Sequence, residues 1–134
     1  MAPYFTPEEA NAALAEVRPL VEQMVERRRE LVAAQERQER VAARIGGNGG
    51  GIEPSELAAI EEEVRAAADG IAECIDSIQQ LGAQVKDLDA GLIDFPALRR
   101  GEEVLLCWHL GEDEIRYWHG LEDGFAGRRP LPLE

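Results

Sequence analysis

The chain has 134 residues, which suits one domain, and its 45% hydrophobic and 31% charged residues are typical of a soluble globular protein. Its 14 Lys and Arg residues against 27 Asp and Glu residues give a formal net charge of −13, which opposes binding to nucleic acid or to an anionic membrane. No apolar run reaches the length of a membrane span and no signal-peptide pattern opens the chain, so we expect a cytoplasmic protein.

A first helix is predicted over residues 1–45, and the stretch "FTPEEA" marks its start. Thr6 takes the N-cap position, Pro7 the first helical position and Glu9 the third, which is the arrangement of a capping box. Apolar residues then recur at steps of three and four, as in the seam of a coiled coil. These seam residues are Leu14, Val17, Val21, Met24 and Leu31.

A glycine-rich turn over residues 46–53 and a second helix over residues 54–88 follow. The turn contains "GGNGGG", and no lysine or serine follows it in the spacing of a phosphate-binding loop. The second helix carries the most regular apolar pattern of the chain. Its seam consists of Leu57, Ile60, Val64, Ala67, Ile71, Cys74, Ile78, Leu81 and Val85. Two long helices joined by a short turn predict an antiparallel, coiled-coil-like hairpin.

Beyond the second helix the pattern changes from helical to extended. The segments "GLIDFP", "VLLCWHL" and "IRYWH" are short and rich in β-branched and aromatic residues. They predict a small three-stranded antiparallel β-meander over residues 91–119, followed by an irregular tail over residues 120–134. The fold class is therefore α+β, a two-helix hairpin followed by a meander, in a single domain over residues 1–134.

The register of the last hairpin can be predicted if "GEDE", residues 111–114, forms its turn. That turn pairs Leu106 with His119 and Trp108 with Tyr117, so these four side chains share one face. This face is the more apolar one, and we expect it to lie against the helices. Cys107 and His109 then point to the other face, which excludes a Cys107–His119 pair and a metal ion shared by the two histidines.

Candidate site residues cluster around His119. Asp94 is a carboxylate inside an apolar strand, and Glu122 or Asp123 can fold back beside the histidine. A histidine with carboxylates is suited to acid–base chemistry or to metal binding. The favoured interpretation is nevertheless a structural histidine with a capping aspartate; the alternative is a ligand site between sheet and helices with a metal site near it. The ligand candidates are Asp94, Trp108, Tyr117 and His119, and the metal candidates are His119, Glu122 and Asp123.

Two stretches carry a resemblance to a known family. They are "YFTPEEANAAL", with "RPLV" after it, and "KDLDAGLIDFPALRRGEEVLLCWHLGEDEIRYWHGLEDGFAGRRPL". With them the chain resembles an uncharacterised prokaryotic family, domain of unknown function 2203, over essentially its whole length. The resemblance implies a bacterial cytosolic protein and transfers no catalytic residue, because the family has no assigned activity.

The favoured function is an interaction or scaffold protein that self-associates as a homo-oligomer, a dimer above all, or that binds another protein. Leu20, Val25 and Ile75 lie outside the seams, and pairing two hairpins into a four-helix bundle would cover them. The alternative is a small-ligand or metal-binding protein, with enzymatic activity the less favoured case. No catalytic residue and no cofactor is assigned. Nucleic-acid binding is excluded because glutamates interleave with the arginines of the first helix.

Overall fold

The computed structural model describes residues 4–46 and 53–133, and within these ranges the chain forms two α-helices, a short 3-10 helix and a five-stranded antiparallel sheet. The elements are α1 (Pro7–Gly46), α2 (Pro54–Gln80), β1 (Gln84–Asp87), β2 (Leu92–Arg99), β3 (Glu102–His109), β4 (Tyr117–Gly120), the 3-10 helix (Phe125–Gly127) and β5 (Arg129–Pro130). The predicted succession of two helices and an antiparallel sheet is confirmed. Neither α1 nor α2, the two long helices of the described ranges, contains an apolar stretch that could span a lipid bilayer.

The start of α1 is the capping box that the sequence predicts. The backbone N–H of Glu9 donates to Thr6 Oγ1 at 3.1 Å, and the backbone N–H of Thr6 donates to Glu9 Oε1 at 2.9 Å. The helix then continues through Pro19 to Gly46. The predicted glycine-rich turn lies outside the described residues except at its two ends.

The two helices pack against each other in opposite directions. Arg44 near the end of α1 contacts Glu56 near the start of α2, and Arg37 pairs with Glu63. Further along, the side chain of Arg27 lies against Gly70. As the residue number rises on α1 it falls on α2, so the pairing is antiparallel. The buried residues of α2 are Ile60, Ala67, Ile71, Cys74 and Ile78, all of them predicted seam positions.

The main core lies between this helix pair and one face of the sheet. The sheet contributes Ile93, Phe95, Ala97, Val104, Leu106, Trp108 and Trp118, all buried. The segment before α1 joins this core, because the Phe5 ring meets the Phe95 ring edge-on at 5.3 Å and the Phe5 N–H donates to the Pro96 carbonyl at 2.7 Å. Val25 belongs to this core as well, and Leu20 and Ile75 pack against it partly buried, so the folded chain itself covers much of the surface that the sequence left for a second copy.

The predicted end of the second helix and the predicted tail were wrong. The helix ends at Gln80 instead of residue 88, and Gly82 takes a φ of +98° just after it. Val85, although in phase with the helical seam, pairs with Ile93 and adds β1 to the sheet. At the other edge Arg129–Pro130 pairs with β4, so the tail supplies a strand and a 3-10 helix. The sheet of the described ranges therefore has five strands and not three.

The predicted register of the last hairpin was also wrong, by one residue. Leu105 pairs with His119, Leu106 with Trp118 and Cys107 with Tyr117. Paired residues share a face, so Trp118 lies on the helix-facing side, whereas Tyr117 and His119 lie on the opposite side with Cys107. The shift also places His109 and His119 on the same face, contrary to the sequence prediction.

The connection between β3 and β4 explains this register. It spans residues 110–116, an odd number, and α1 holds it in place. The Asn11 amide accepts from the Ile115 N–H at 2.7 Å and donates to the Ile115 carbonyl at 3.4 Å. Arg18 donates to the Glu112 carbonyl at 3.0 Å. These long-range contacts stabilise the loop over residues 110–116, and the short turn that "GEDE" predicts does not form.

Candidate metal centre

Three side chains with metal-binding atoms meet on the sheet face that points away from the helices. Asp94 of β2 is the direct strand partner of Cys107 of β3, and His119 of β4 reaches over from its position opposite Leu105. The exposed fractions of the three residues are 2%, 0% and 3% respectively. One carboxylate oxygen, the sulfur and one imidazole nitrogen all lie within 4.8 Å of one another. We call Asp94, Cys107 and His119 the donor cluster.

The orientation of the His119 ring suits a metal ligand. Its Nδ1 lies 2.7 Å from the Gly120 carbonyl, which can only accept, so Nδ1 carries a proton and donates. In the neutral ring Nε2 is then an acceptor, and it faces Asp94 Oδ1 at 3.2 Å. Two acceptors at this distance need a proton or a cation between them. A histidine that ligates a metal is commonly fixed in this way, by donating its other ring N–H to a carbonyl.

The thiol of Cys107 is kept protonated by its surroundings. Burial raises its pKa most, the charge of Asp94 adds to this, and Arg128 acts in the opposite direction, which leaves the pKa at about 11. A protonated, buried thiol is a poor nucleophile at neutral pH. A bound metal ion replaces the proton, because thiolate is the form that coordinates.

The geometry of the donor cluster differs from that of a Cys–His–Asp catalytic triad. In a triad the nucleophile and the carboxylate occupy different nitrogens of one imidazole ring, so that the carboxylate orients the base. Here Asp94 faces Nε2, and Gly120 occupies Nδ1. No ring nitrogen is left to take a proton from Cys107 while Asp94 orients the ring. The three donors converge instead on one point, which is an arrangement that could hold a metal ion.

Arg128 covers the donor cluster from the segment after the 3-10 helix. Its Nη2 donates to the Cys107 carbonyl at 3.1 Å and to Glu112 Oε1 at 2.7 Å. Its guanidinium carbon lies 4.3 Å from the ring centre of Tyr117 and 4.6 Å from that of Phe125, both within cation–π range. Arg128 therefore ties the tail to β3, β4 and the loop between them.

Glu112 is the acceptor that holds Arg128. Its carboxylate also accepts from the backbone N–H of His109 at 2.9 Å. Burial by itself raises the pKa of Glu112, but the hydrogen bonds from Arg128 and His109 outweigh it and lower the pKa below the ordinary 4.5. The carboxylate is thus charged at neutral pH and forms a nearly buried ion pair with Arg128, since the two side chains are only 15% and 13% exposed.

The structure separates the sequence candidates into two groups. Asp94 and His119 come together, but on the face away from the helices, so the expected cleft between sheet and helices is not where they lie. Tyr117 lies on this face beneath Arg128. Trp108 belongs to the helix-facing core, and its Nε1 donates to the Glu112 carbonyl at 2.9 Å.

The acidic candidates after β4 lie outside the donor cluster. Glu122 is exposed, and Asp123 accepts from the Gly120 N–H at 3.2 Å, which closes a turn. Sequence reasoning missed Cys107 as a ligand because the predicted register excluded it. The signal that could have found it is Asp94 itself, a carboxylate in an apolar strand that requires a buried partner.

The comparison with known proteins agrees with the family resemblance of the sequence. A family model described as "Uncharacterized conserved protein (DUF2203)" matches residues 3–131. Neither a curated protein nor a solved structure matches the chain.

Proposed function

Since this chain belongs to the DUF2203 family of uncharacterised conserved proteins, whose description names no activity, we propose a function from its own residues. We propose that it binds a transition-metal ion of the zinc class through Asp94, Cys107 and His119. The observation that carries this proposal is the convergence of an oxygen, a sulfur and a nitrogen donor within 4.8 Å in a buried position.

Charge balance supports a divalent ion. A carboxylate and a thiolate contribute two negative charges, and the imidazole, which donates through Nδ1, contributes none. A divalent ion neutralises the cluster, which matters because uncompensated charge is costly in a buried site. It also takes the place of the proton that His119 Nε2 and Asp94 Oδ1 otherwise share.

The ligand types support zinc over magnesium or calcium. Magnesium and calcium prefer oxygen ligands, whereas thiolate and imidazole favour zinc and its neighbours in the transition series. Three protein ligands leave a fourth tetrahedral position for a water molecule or another group. The nearly complete burial of the ligands favours a structural ion, one that ties β2, β3 and β4 together, over a catalytic one.

The test is a titration of metal-free protein with Co²⁺, which reports thiolate coordination through a charge-transfer band in the near ultraviolet. We expect one ion per chain, displaced by Zn²⁺. Cys107→Ala should abolish the band and weaken binding by more than the roughly 10- to 100-fold typical of an outer-shell residue.

Cys74→Ala is the matched control, because Cys74 is also a buried free cysteine but lies in α2 within the helix-facing core. This variant should bind Co²⁺ like the wild type. Wild-type protein that shows no thiolate band, or a Cys107→Ala variant that binds as tightly as the wild type, would show that the metal proposal is wrong.

We also infer a cytoplasmic location, because a reducing compartment keeps Cys107 available as a ligand.

As a second candidate function, we infer self-association through the distal part of the helix pair. The core shared with the sheet extends only to Leu31 on α1 and starts at Ile71 on α2, so among the described residues no third layer packs on the distal part of the helix pair. Val32 is 37% exposed there. Light scattering at micromolar concentration should give the mass of a dimer, and a strict monomer would refute self-association.

A further inference from the structure

We infer that Arg128 is a positioning residue of the metal centre, which donates a hydrogen bond from Nε to the metal-bound sulfur of Cys107. The inference rests on the proposed metal binding. It adds a residue from the tail to a site whose ligands all come from the sheet, and it links metal binding to the docking of that tail.

The first observation is an unpaired donor. Nε of Arg128 is buried and has no hydrogen-bond partner among the described residues, whereas Nη2 of the same side chain donates to two acceptors. Buried N–H groups are rarely left unpaired, because leaving water without a new partner has a free-energy cost. An unpaired buried donor therefore points to an acceptor that forms in another state of the site.

The second observation is the place of this donor. The bond from Nη2 to the Cys107 carbonyl fixes the guanidinium beside Cys107, and the rings of Tyr117 and Phe125 both lie within cation–π distance of it. Tyr117 is the strand partner of Cys107 and shares its face, so the guanidinium lies on the side of the sheet to which the Cys107 sulfur points. A donor held from several directions cannot readily turn to another partner.

The chemistry of the sulfur explains why the donor is unpaired. A neutral thiol is a weak acceptor, whereas a coordinating sulfur is fully deprotonated and negatively charged. Hydrogen bonds to charged acceptors are the stronger ones, and such bonds to cysteine sulfur tune metal centres. Metal binding thus supplies the acceptor that Nε lacks.

The ion pair between Arg128 and Glu112 keeps the charge balance of the site intact. Glu112 Oε1, at 2.7 Å from Nη2, already neutralises the guanidinium. Arg128 therefore donates a hydrogen bond to the thiolate without changing the net charge of the site. The divalent ion still balances the carboxylate and the thiolate. An unpaired arginine would instead compete with the metal ion for the same site.

A linkage follows from the position of Arg128 in the chain. It lies between the 3-10 helix and β5, so its bond to the sulfur favours the docked tail. Because linkage is reciprocal, a docked tail also favours the bound ion.

The experiment compares full-length Arg128→Met with Arg129→Met by Co²⁺ titration. Arg129 is the matched control, because it stacks on Trp118 on the helix-facing side of the sheet. We expect Arg128→Met to weaken binding by about 10- to 100-fold, as for other outer-shell residues. Its thiolate-to-cobalt band should also move to lower energy, because the sulfur loses a hydrogen bond. Arg129→Met should change neither quantity.

The outcomes separate this inference from the proposed function. If wild-type protein shows no thiolate band, metal binding through Cys107 is refuted. If the wild type binds and Arg128→Met keeps both its affinity and its band energy, only the role of Arg128 is refuted.

A measurement on the wild type serves if Arg128→Met does not fold. In protein labelled with ¹⁵N-arginine, addition of Zn²⁺ should move the Arg128 Nε–H proton downfield and slow its exchange with water. The Arg129 and Arg116 signals should stay in place. An unchanged Arg128 signal in zinc-loaded protein overturns the inference.

Discussion

Both faces of the sheet contain buried residues, but these are buried by different means. The helix-facing side is apolar, and α1 and α2 cover it with side chains such as those that surround Phe95 and Trp108. The opposite side holds Asp94, Cys107 and His119, and Arg128 of the tail lies over it. Burial of apolar groups is favourable in itself, whereas burial of polar groups requires partners. One face therefore stabilises the fold alone, and the other depends on what occupies it.

The largest expected effect comes from breaking the helix-facing side with Phe95→Ala. Phe95 is fully buried, and the substitution should lower the free energy of unfolding by about 3–5 kcal/mol. Urea unfolding in the presence of a chelator measures it. Leu98→Ala in the same strand is the control; Leu98 is 47% exposed, so its loss should stay within about 0.5 kcal/mol. Equal losses in the two variants would mean that this face does not form the core.

Binding of a zinc ion on the opposite side of the sheet should give the next largest effect on the free energy of unfolding. A ligand that binds only the folded state, at a free concentration 100-fold above its Kd, stabilises by about 2.7 kcal/mol. Wild-type protein in buffered Zn²⁺ should therefore unfold at higher urea concentration than in chelator. The Cys107→Ala variant should unfold at the same concentration in both conditions, and a zinc effect that survives in this variant would place the ion elsewhere.

Glu112→Gln tests how the loop and the tail hold the opposite side closed. Loss of the charged hydrogen bond to Arg128 should cost about 1.5–3 kcal/mol of stability at neutral pH. The pKa of Glu112 is lowered in the folded state, so its contribution is present above pH 4.5 and is lost as the pH falls through the folded-state pKa. The stability difference between wild type and variant should therefore shrink in acid. A difference that is constant from pH 7 to pH 3 would exclude this ion pair as its source.

The smallest expected effect on stability comes from the N-terminus of α1, on the helix-facing side of the sheet. Thr6→Ala removes the N-cap acceptor for the Glu9 N–H and should cost about 1 kcal/mol. Thermal unfolding followed by circular dichroism measures the loss. Because the cap lies outside the donor cluster, the affinity for Co²⁺ should equal that of the wild type, and a change in affinity would show that the two sides are coupled.

The parts of the fold that depend on neighbouring residues could be predicted from the sequence. The capping box of Thr6 and Glu9 involves residues three positions apart, and the seam positions of α2 repeat along one helix face. The residues around Val85 were predicted wrongly because one position fits both a helical seam and a strand. Only the turn at Gly82 and the pairing with Ile93 decide between them.

The site depended on information that the local sequence does not carry. Residues 104–108 are all buried, so alternation between polar and apolar positions could not fix which face Cys107 takes. The register depends instead on contacts from Asn11 and Arg18 in α1 to the loop after β3. Arg128 meets Cys107 across 21 residues, and nothing in its own neighbourhood indicates that contact. Asp94 and His119 could be singled out, but not their third partner.

The bond between Asn11 and Ile115 also has a consequence for synthesis on the ribosome. It joins positions 104 residues apart, and at roughly 5–20 residues per second the start of α1 waits roughly 5–20 s for its partner loop. During this time Val17 and Val21 have no sheet to cover them. The first half of α1 is thus the segment of the growing chain that a chaperone would hold.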